Sequence, residues 1–67
     1  MKRLRELRRL RALTLRELGE LSGISYATIW RIENGYSDVR PSTIRKLAGA
    51  LDVDTAELVV IGEGDDA

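Results

Sequence analysis

The chain has 67 residues, enough for one domain, and its eleven Lys and Arg are matched by eleven Asp and Glu, so its net charge is zero. With no Cys and no His, disulfides, thiolate zinc sites, thiol catalysis and the commonest general base are excluded. A chain of this size buries only roughly 60 % of its unfolded surface, so its stability is marginal. No apolar run approaches the ~20 residues of a membrane span and no signal-peptide core follows the N-terminus. A small soluble intracellular protein with no membrane partner is therefore expected.

A first helix is expected from about Lys2 to Ala12, with Leu4, Leu7 and Leu10 at spacings of three. Residues 1 to 16 hold seven basic residues and one acidic residue, while the rest of the chain holds four basic and ten acidic. The neutral sum therefore hides a polarised molecule, and it does not exclude a nucleic-acid partner. Two readings of the helix 1 arginines stand at this point: a solvated face, or a basic face for DNA. Arg8 falls on the apolar side of the helix, an odd place for a guanidinium without a buried partner.

The second helix has a complete start signal. Thr14 is the N-cap, Glu17 completes a capping box, and Leu13 with Leu18 form the hydrophobic staple. It runs to about Leu21, and Gly23 suits a positive-φ turn. Gly19, inside the helix, costs about 1 kcal/mol against Ala and so needs a packing reason, such as a close helix crossing.

The third helix starts three or four residues later. Ser25 is its N-cap, Ile24 and Ile29 its staple, and Asn34-Gly35 its stop. On a helical wheel Ile29, Ile32 and Ser25 share the inward side, with Glu33 leaning the same way, while Ala27, Arg31 and Asn34 lie opposite. Glu33 and Arg8, opposite charges on inward faces of two helices, are expected to form one structural ion pair. Tyr26 and Trp30 stand at the border: either they flank the core and cover the second helix, or they reach outward.

A polar loop, residues 36 to 40, leads to a fourth helix with Ile44, Leu47, Ala48 and Leu51 at i, i+3, i+4 and i+7. Asp54 and Glu57 are expected to cap a fifth helix, with Val53 and Leu58 as staple. No stretch alternates as a strand. The expected architecture is all-α, a compact five-helix bundle over residues 1–61 followed by a flexible acidic tail, 62–67.

Two short capped helices joined by a tight glycine turn make a helix-turn-helix, whose second helix is the recognition element when the motif binds DNA. With these residues placed, the chain resembles the lambda-repressor-like, or Xre/Cro, helix-turn-helix family over about Leu4 to Leu58. The matching residues are Leu7-Arg8, Leu13-Thr14, Glu17-Leu18, Ser22 to Ser25, Thr28-Ile29, Arg31 to Gly35, Arg40 to Ala48, and Ala50 to Val53.

The resemblance implies a sequence-specific DNA-binding transcriptional repressor acting on a palindromic operator as a homodimer. It places base reading on Tyr26, Ala27, Thr28 and Arg31, and an ion pair between Arg8 and Glu33. It places phosphate contacts on Thr14, Arg16, Ser25, Asn34, Tyr36, Ser37 and Arg40. Leu15 stands where the family usually has Gln, which leaves only the backbone N–H and the helix dipole there. Trp30, where the family usually has a small or polar residue, contacts either DNA or a protein partner. Asp38 is acidic where many members are basic.

Val59, Val60 and Ile61 are the candidate dimer surface; the alternative is that this β-branched run packs within the chain. A second class of function is a protein-interaction module or antitoxin whose partner is a toxin or an anti-repressor, anchored by Trp30, Tyr26 and Tyr36. An enzyme is not expected: there is no phosphate-cradling Gly loop and no carboxylate cluster outside caps and tail. No cofactor and no metal site are expected.

Overall fold

The computed structural model describes residues 1–58. The tail, the expected domain boundary at 61 and the candidate dimer residues Val59, Val60 and Ile61 lie outside the described residues. Five helices follow one another: α1 Lys2–Leu10, α2 Leu15–Ser22, α3 Tyr26–Glu33, α4 Pro41–Leu51 and α5 Thr55–Leu58. Among the described residues there is no strand, and no helix is long and apolar enough to cross a membrane.

One apolar cluster joins all five helices. Leu4 and Leu7 come from α1, Leu18 from α2, Ile29 and Ile32 from α3, Leu47, Ala48 and Leu51 from α4, and Leu58 from α5. Met1, Leu13, Leu15, Ile24, Val39, Ile44, Ala50 and Val53 are half-buried around it. α2 packs against α3 and α4, while α1 lies across α3 and α5. The staple residues of α2, α3 and α5 all belong to this cluster or its margin, as their spacing requires.

The first helix is shorter than expected and its leucine stripe is incomplete. Leu10 is 76 % exposed. Each step of three residues falls about 60° short of a full turn, so two steps carry Leu10 well off the face defined by Leu4. The helix stops at Leu10, and Ala12 takes the left-handed conformation at φ 56°. Ala12 N–H bonds Arg9 O at 2.9 Å and Leu13 N–H bonds Arg8 O at 3.1 Å, the pair of bonds that defines a Schellman end.

The same pair closes α4, with Asp52 left-handed at φ 59° and Val53 N–H on Ala48 O. It closes α3 on Gly35, at φ 78°, with Tyr36 N–H on Arg31 O at 2.7 Å. Only at Gly35 does the sequence supply the residue such an end prefers. This conformation costs an L-residue about 1–2 kcal/mol, an advantage for glycine that its freer unfolded chain partly cancels. Ala12→Gly is therefore expected to stabilise the domain by about 0.5–1 kcal/mol, seen as a melting temperature a few degrees higher. A lower melting temperature would mean that Ala12 makes a contact the backbone argument misses.

Part of the basic N-terminal segment is engaged within the protein. Arg3 pairs with Glu57 at 2.9 Å and Glu6 at 3.3 Å. Arg5 and Arg8 meet Glu33, and Arg11 bonds the Asp52 carbonyl at 3.3 Å. Four of the seven basic residues thus answer acceptors on α3, α5 and the end of α4. Ion pairs join the basic N-terminal segment to Glu57 and Glu33 in the acidic remainder of the chain.

Candidate nucleic-acid interface

α2 begins as its sequence dictates. Glu17 N–H bonds the Thr14 hydroxyl at 3.0 Å, and Thr14 N–H bonds the Glu17 carboxylate at 2.8 Å, so two otherwise orphaned donors are satisfied. The helix ends on Gly23, left-handed at φ 76°, whose N–H bonds Gly19 O at 2.8 Å. The turn is braced by the buried Ser22 hydroxyl, which accepts from Ile24 N–H at 3.2 Å. Ser22 reads from the sequence as an ordinary turn residue; its bracing role depends on burial.

Gly19 explains how closely the two helices approach. A Cβ placed there would lie 2.8 Å from the Ile24 carbonyl and 3.4 Å from Tyr26 N. The backbone leading into α3 therefore occupies the space a side chain would fill.

α3 starts with the Ser25 hydroxyl accepting from Ala27 N–H at 3.2 Å. Ser25 is exposed, whereas the helical wheel places it inward. A cap residue has non-helical dihedrals, here φ −56° and ψ 138°, so the wheel does not govern it. Ile29, Ile32 and Glu33 are buried, and Tyr26, Ala27, Trp30 and Arg31 are exposed, with Thr28 half-buried between them. Three of the four expected base-reading side chains thus share an open face, and the fourth is at its edge.

Glu33 closes the far end of α3. Its side chain is 1 % exposed and lies 2.7 Å from Arg8 Nε and 3.5 Å from Arg5 Nε. Arg8 also donates from Nη2 to the other Glu33 oxygen at 3.1 Å and from Nη1 to Leu13 O at 2.9 Å. The bonds to Glu33 raise the Arg8 pKa against a smaller lowering by burial, so its charge is retained throughout any working pH. Arg5 donates from Nη2 to Asn34 Oδ1 at 2.7 Å, and Asn34 Nδ2 donates to Trp30 O at 2.8 Å. Both ends of the Asn34 amide are thus engaged inside the protein, with one Nδ2 hydrogen outside these two bonds.

The remaining expected contacts differ in exposure. Arg16, Thr14, Tyr36 and Arg40 are exposed and Ser37 is half-buried. Leu15 is half-buried against the core. An apolar residue at that place serves packing, which accounts for the missing polar side chain.

Two aromatic contacts have no counterpart in the sequence patterns. The Arg16 guanidinium sits 4.6 Å over the Tyr26 ring. Trp30 stacks on Tyr36, ring centres 5.7 Å apart and planes 10° from parallel. Trp30 is 47 % exposed, so its neighbour is the loop aromatic rather than the core. Neither contact leaves a spacing signal, because each joins residues on different elements. Among the described residues no group of His, Cys, Asp or Glu could hold a metal ion.

A capped helix pair crossing at a glycine, with a second helix held at both ends and open on its outer face, is the geometry of a DNA-reading helix-turn-helix. The helix-turn-helix family model matches residues 4–58, all five helices but the first two residues of α1. This chain belongs to the lambda-repressor-like helix-turn-helix family. Members of this helix-turn-helix family are DNA-binding transcriptional regulators.

Among its relatives is the uncharacterized HTH-type transcriptional regulator RghRB of Bacillus subtilis (strain 168), 57 % identical over 51 residues, 75 % of this chain and 37 % of that protein. Another is the HTH-type transcriptional repressor RghR of the same organism, 53 % identical over 51 residues, 75 % of this chain and 38 % of that protein. The chain thus spans less than two-fifths of the length of the curated relatives it matches.

Proposed function

We propose that the chain is a sequence-specific transcriptional repressor that places α3 in the major groove of a palindromic operator as a homodimer in the cytoplasm. The observation that carries this reading is the outer face of α3, where Tyr26, Ala27 and Arg31 are exposed on a helix whose position is determined at both ends. A rigid helix with an outward guanidinium suits direct readout, since Arg donates to the guanine O6 and N7 acceptors and a small side chain admits the thymine methyl. Repression is supported by the relative RghR, a transcriptional repressor in its own name.

One short recognition helix reads few base pairs, and a two-fold pair reads two half-sites about 34 Å apart or a multiple of that. This favours a homodimer, with Val59, Val60 and Ile61 as its candidate interface. Val60→Glu is expected to shift sedimentation toward the monomer; an unchanged profile would remove that residue from the interface.

The test of the DNA-reading surface compares two arginines. Arg31→Ala is expected to cost about 1–3 kcal/mol on the preferred site and to relax selectivity at one base pair. Arg40→Ala, at the N-cap of α4, is expected to weaken all sequences alike and to make the salt slope shallower by about one phosphate. Equal binding of operator and random DNA by the parent and both variants would show that this face does not read DNA.

A second reading rests on the exposed Trp30–Tyr36 stack. Aromatic pairs of this kind are typical anchors of protein interfaces, and a toxin or anti-repressor partner would use them. Binding of such a partner would show little dependence on salt, because no phosphate counterions are released.

A further inference from the structure

Tyr26 is the first residue of α3 and Arg16 the second residue of α2, and the close crossing at Gly19 brings them together. The Arg16 guanidinium carbon stands 4.6 Å from the centre of the Tyr26 ring. None of the described ion pairs involves Arg16, so the ring is its defined neighbour. Its chain neighbour Leu15 is turned to the core and offers the ring no polar partner.

A half-exposed tyrosine on a helix's first turn has several rotamers open to it. A cation over one face favours the rotamer that keeps the contact, roughly two- to five-fold at an exposed site. The other face of the ring and its hydroxyl are left to whatever approaches α3.

We infer that Arg16 is a positioning residue for base readout: it holds the Tyr26 ring in one orientation, so the base pair facing Tyr26 is discriminated through a residue that does not touch it. The inference rests on α3 reading bases as proposed above. It differs from a phosphate role for Arg16 in kind. A phosphate contact strengthens every sequence alike and steepens the salt dependence, whereas a positioning contact acts at one base pair and leaves the salt slope as it is.

The experiment begins with sites selected by the parent from a random duplex pool, and Tyr26→Ala identifies the base pair that Tyr26 reads. Arg16→Gln is expected to lower preference at that base pair roughly two- to five-fold, with affinity for non-specific DNA and the salt slope unchanged. In a Tyr26→Ala background the same substitution is expected to do nothing further at that position, and Arg16→Lys, which keeps a cation over the ring, is expected to restore part of the preference. In the free protein, the Arg16 side-chain protons are expected to resonate upfield in the ring's shielding zone and to lose that shift in Tyr26→Ala.

Uniform weakening across sequences, with a salt slope shallower by about 0.9 in both backgrounds, would overturn the inference in favour of a phosphate contact. Selection by Arg16→Gln as sharp as by the parent, or no ring-current shift, would also overturn it. A parent that selects no site would instead overturn the DNA-reading function itself, a result separable from these.

Discussion

Glu33→Gln is expected to lower the melting temperature by roughly 12–40 °C. The Glu33 side chain is 1 % exposed and Arg8 only 13 %, with Arg5 at 35 % as a second cation on the same carboxylate. Gln keeps the shape and one acceptor but removes the negative charge, leaving the Arg8 guanidinium buried without compensation. Breaking a buried pair in this way costs about 3–5 kcal/mol, and each kcal/mol is worth roughly 4–8 °C in a domain of this size. In a chain whose whole stability is of the order of 5 kcal/mol, a loss near the upper end brings the midpoint to about ambient temperature.

The pair's net worth is a different quantity. Two apolar residues of similar volume often replace a buried pair at little cost, since neither charge then needs solvation. Arg8→Met with Glu33→Leu is therefore expected to recover most of the stability that Glu33→Gln loses. Thermal melts of the two single variants and the double variant decide the matter. An unchanged melting temperature for Glu33→Gln would show that the guanidinium finds water or another acceptor. A double variant no better than the singles would show that the site needs the charges themselves.

The second large effect is expected at Gly19. By helix propensity alone, Gly19→Ala should gain about 1 kcal/mol. The added Cβ would stand 2.8 Å from the Ile24 carbonyl and 3.4 Å from Tyr26 N, and both are backbone atoms that move only with the start of α3. Overpacking of this kind costs typically about 1–3 kcal/mol, so the propensity gain is offset and Ala brings no stabilisation. Gly19→Val adds two methyl groups at the same crossing and is expected to destabilise by about 3 kcal/mol.

Any relaxation lifts the N-terminal turn of α3, which carries Tyr26 and Ala27. Selectivity on DNA is thus expected to fall in Gly19→Ala even at temperatures where the variant is fully folded. Circular-dichroism melts with binding to operator and random duplexes test both halves. A clear rise in melting temperature for Gly19→Ala would mean that the crossing has room to spare.

Much of the architecture is legible in the amino-acid sequence because its signals are local. The Thr14–Glu17 box, the Ser25 cap, the Gly23 and Gly35 turns and the i, i+3, i+4, i+7 stripe of α4 are each satisfied within a few residues of chain. Arg8 and Glu33 are legible for a related reason: a charge on an inward helix face has few ways to exist, and a second of opposite sign resolves the first. The departures fall where one element meets another or a helix stops. Leu10 continues the run of leucines three apart, but two such steps rotate it well off the face of Leu4, on the last turn of a short helix. Ala12 accepts left-handed backbone that nothing in its chemistry announces, and Asp52 accepts it as a residue only more tolerant of it than most, because the hydrogen bonds of the helix end offset the strain.

The amino-acid sequence by itself determined the helical composition of this protein, the helix pair with its turn, the buried ion pair and the inward face of α3. Each of those follows from periodicity, capping chemistry or the cost of an uncompensated charge. Only the tertiary structure decided what the exposed side chains touch. It turned four N-terminal arginines toward the protein's own acceptors, engaged both ends of the Asn34 amide, set Trp30 on Tyr36 and laid Arg16 over Tyr26. Surface side chains are long, polar and nearly indifferent to local helix geometry, so their partners are selected by how the helices cross.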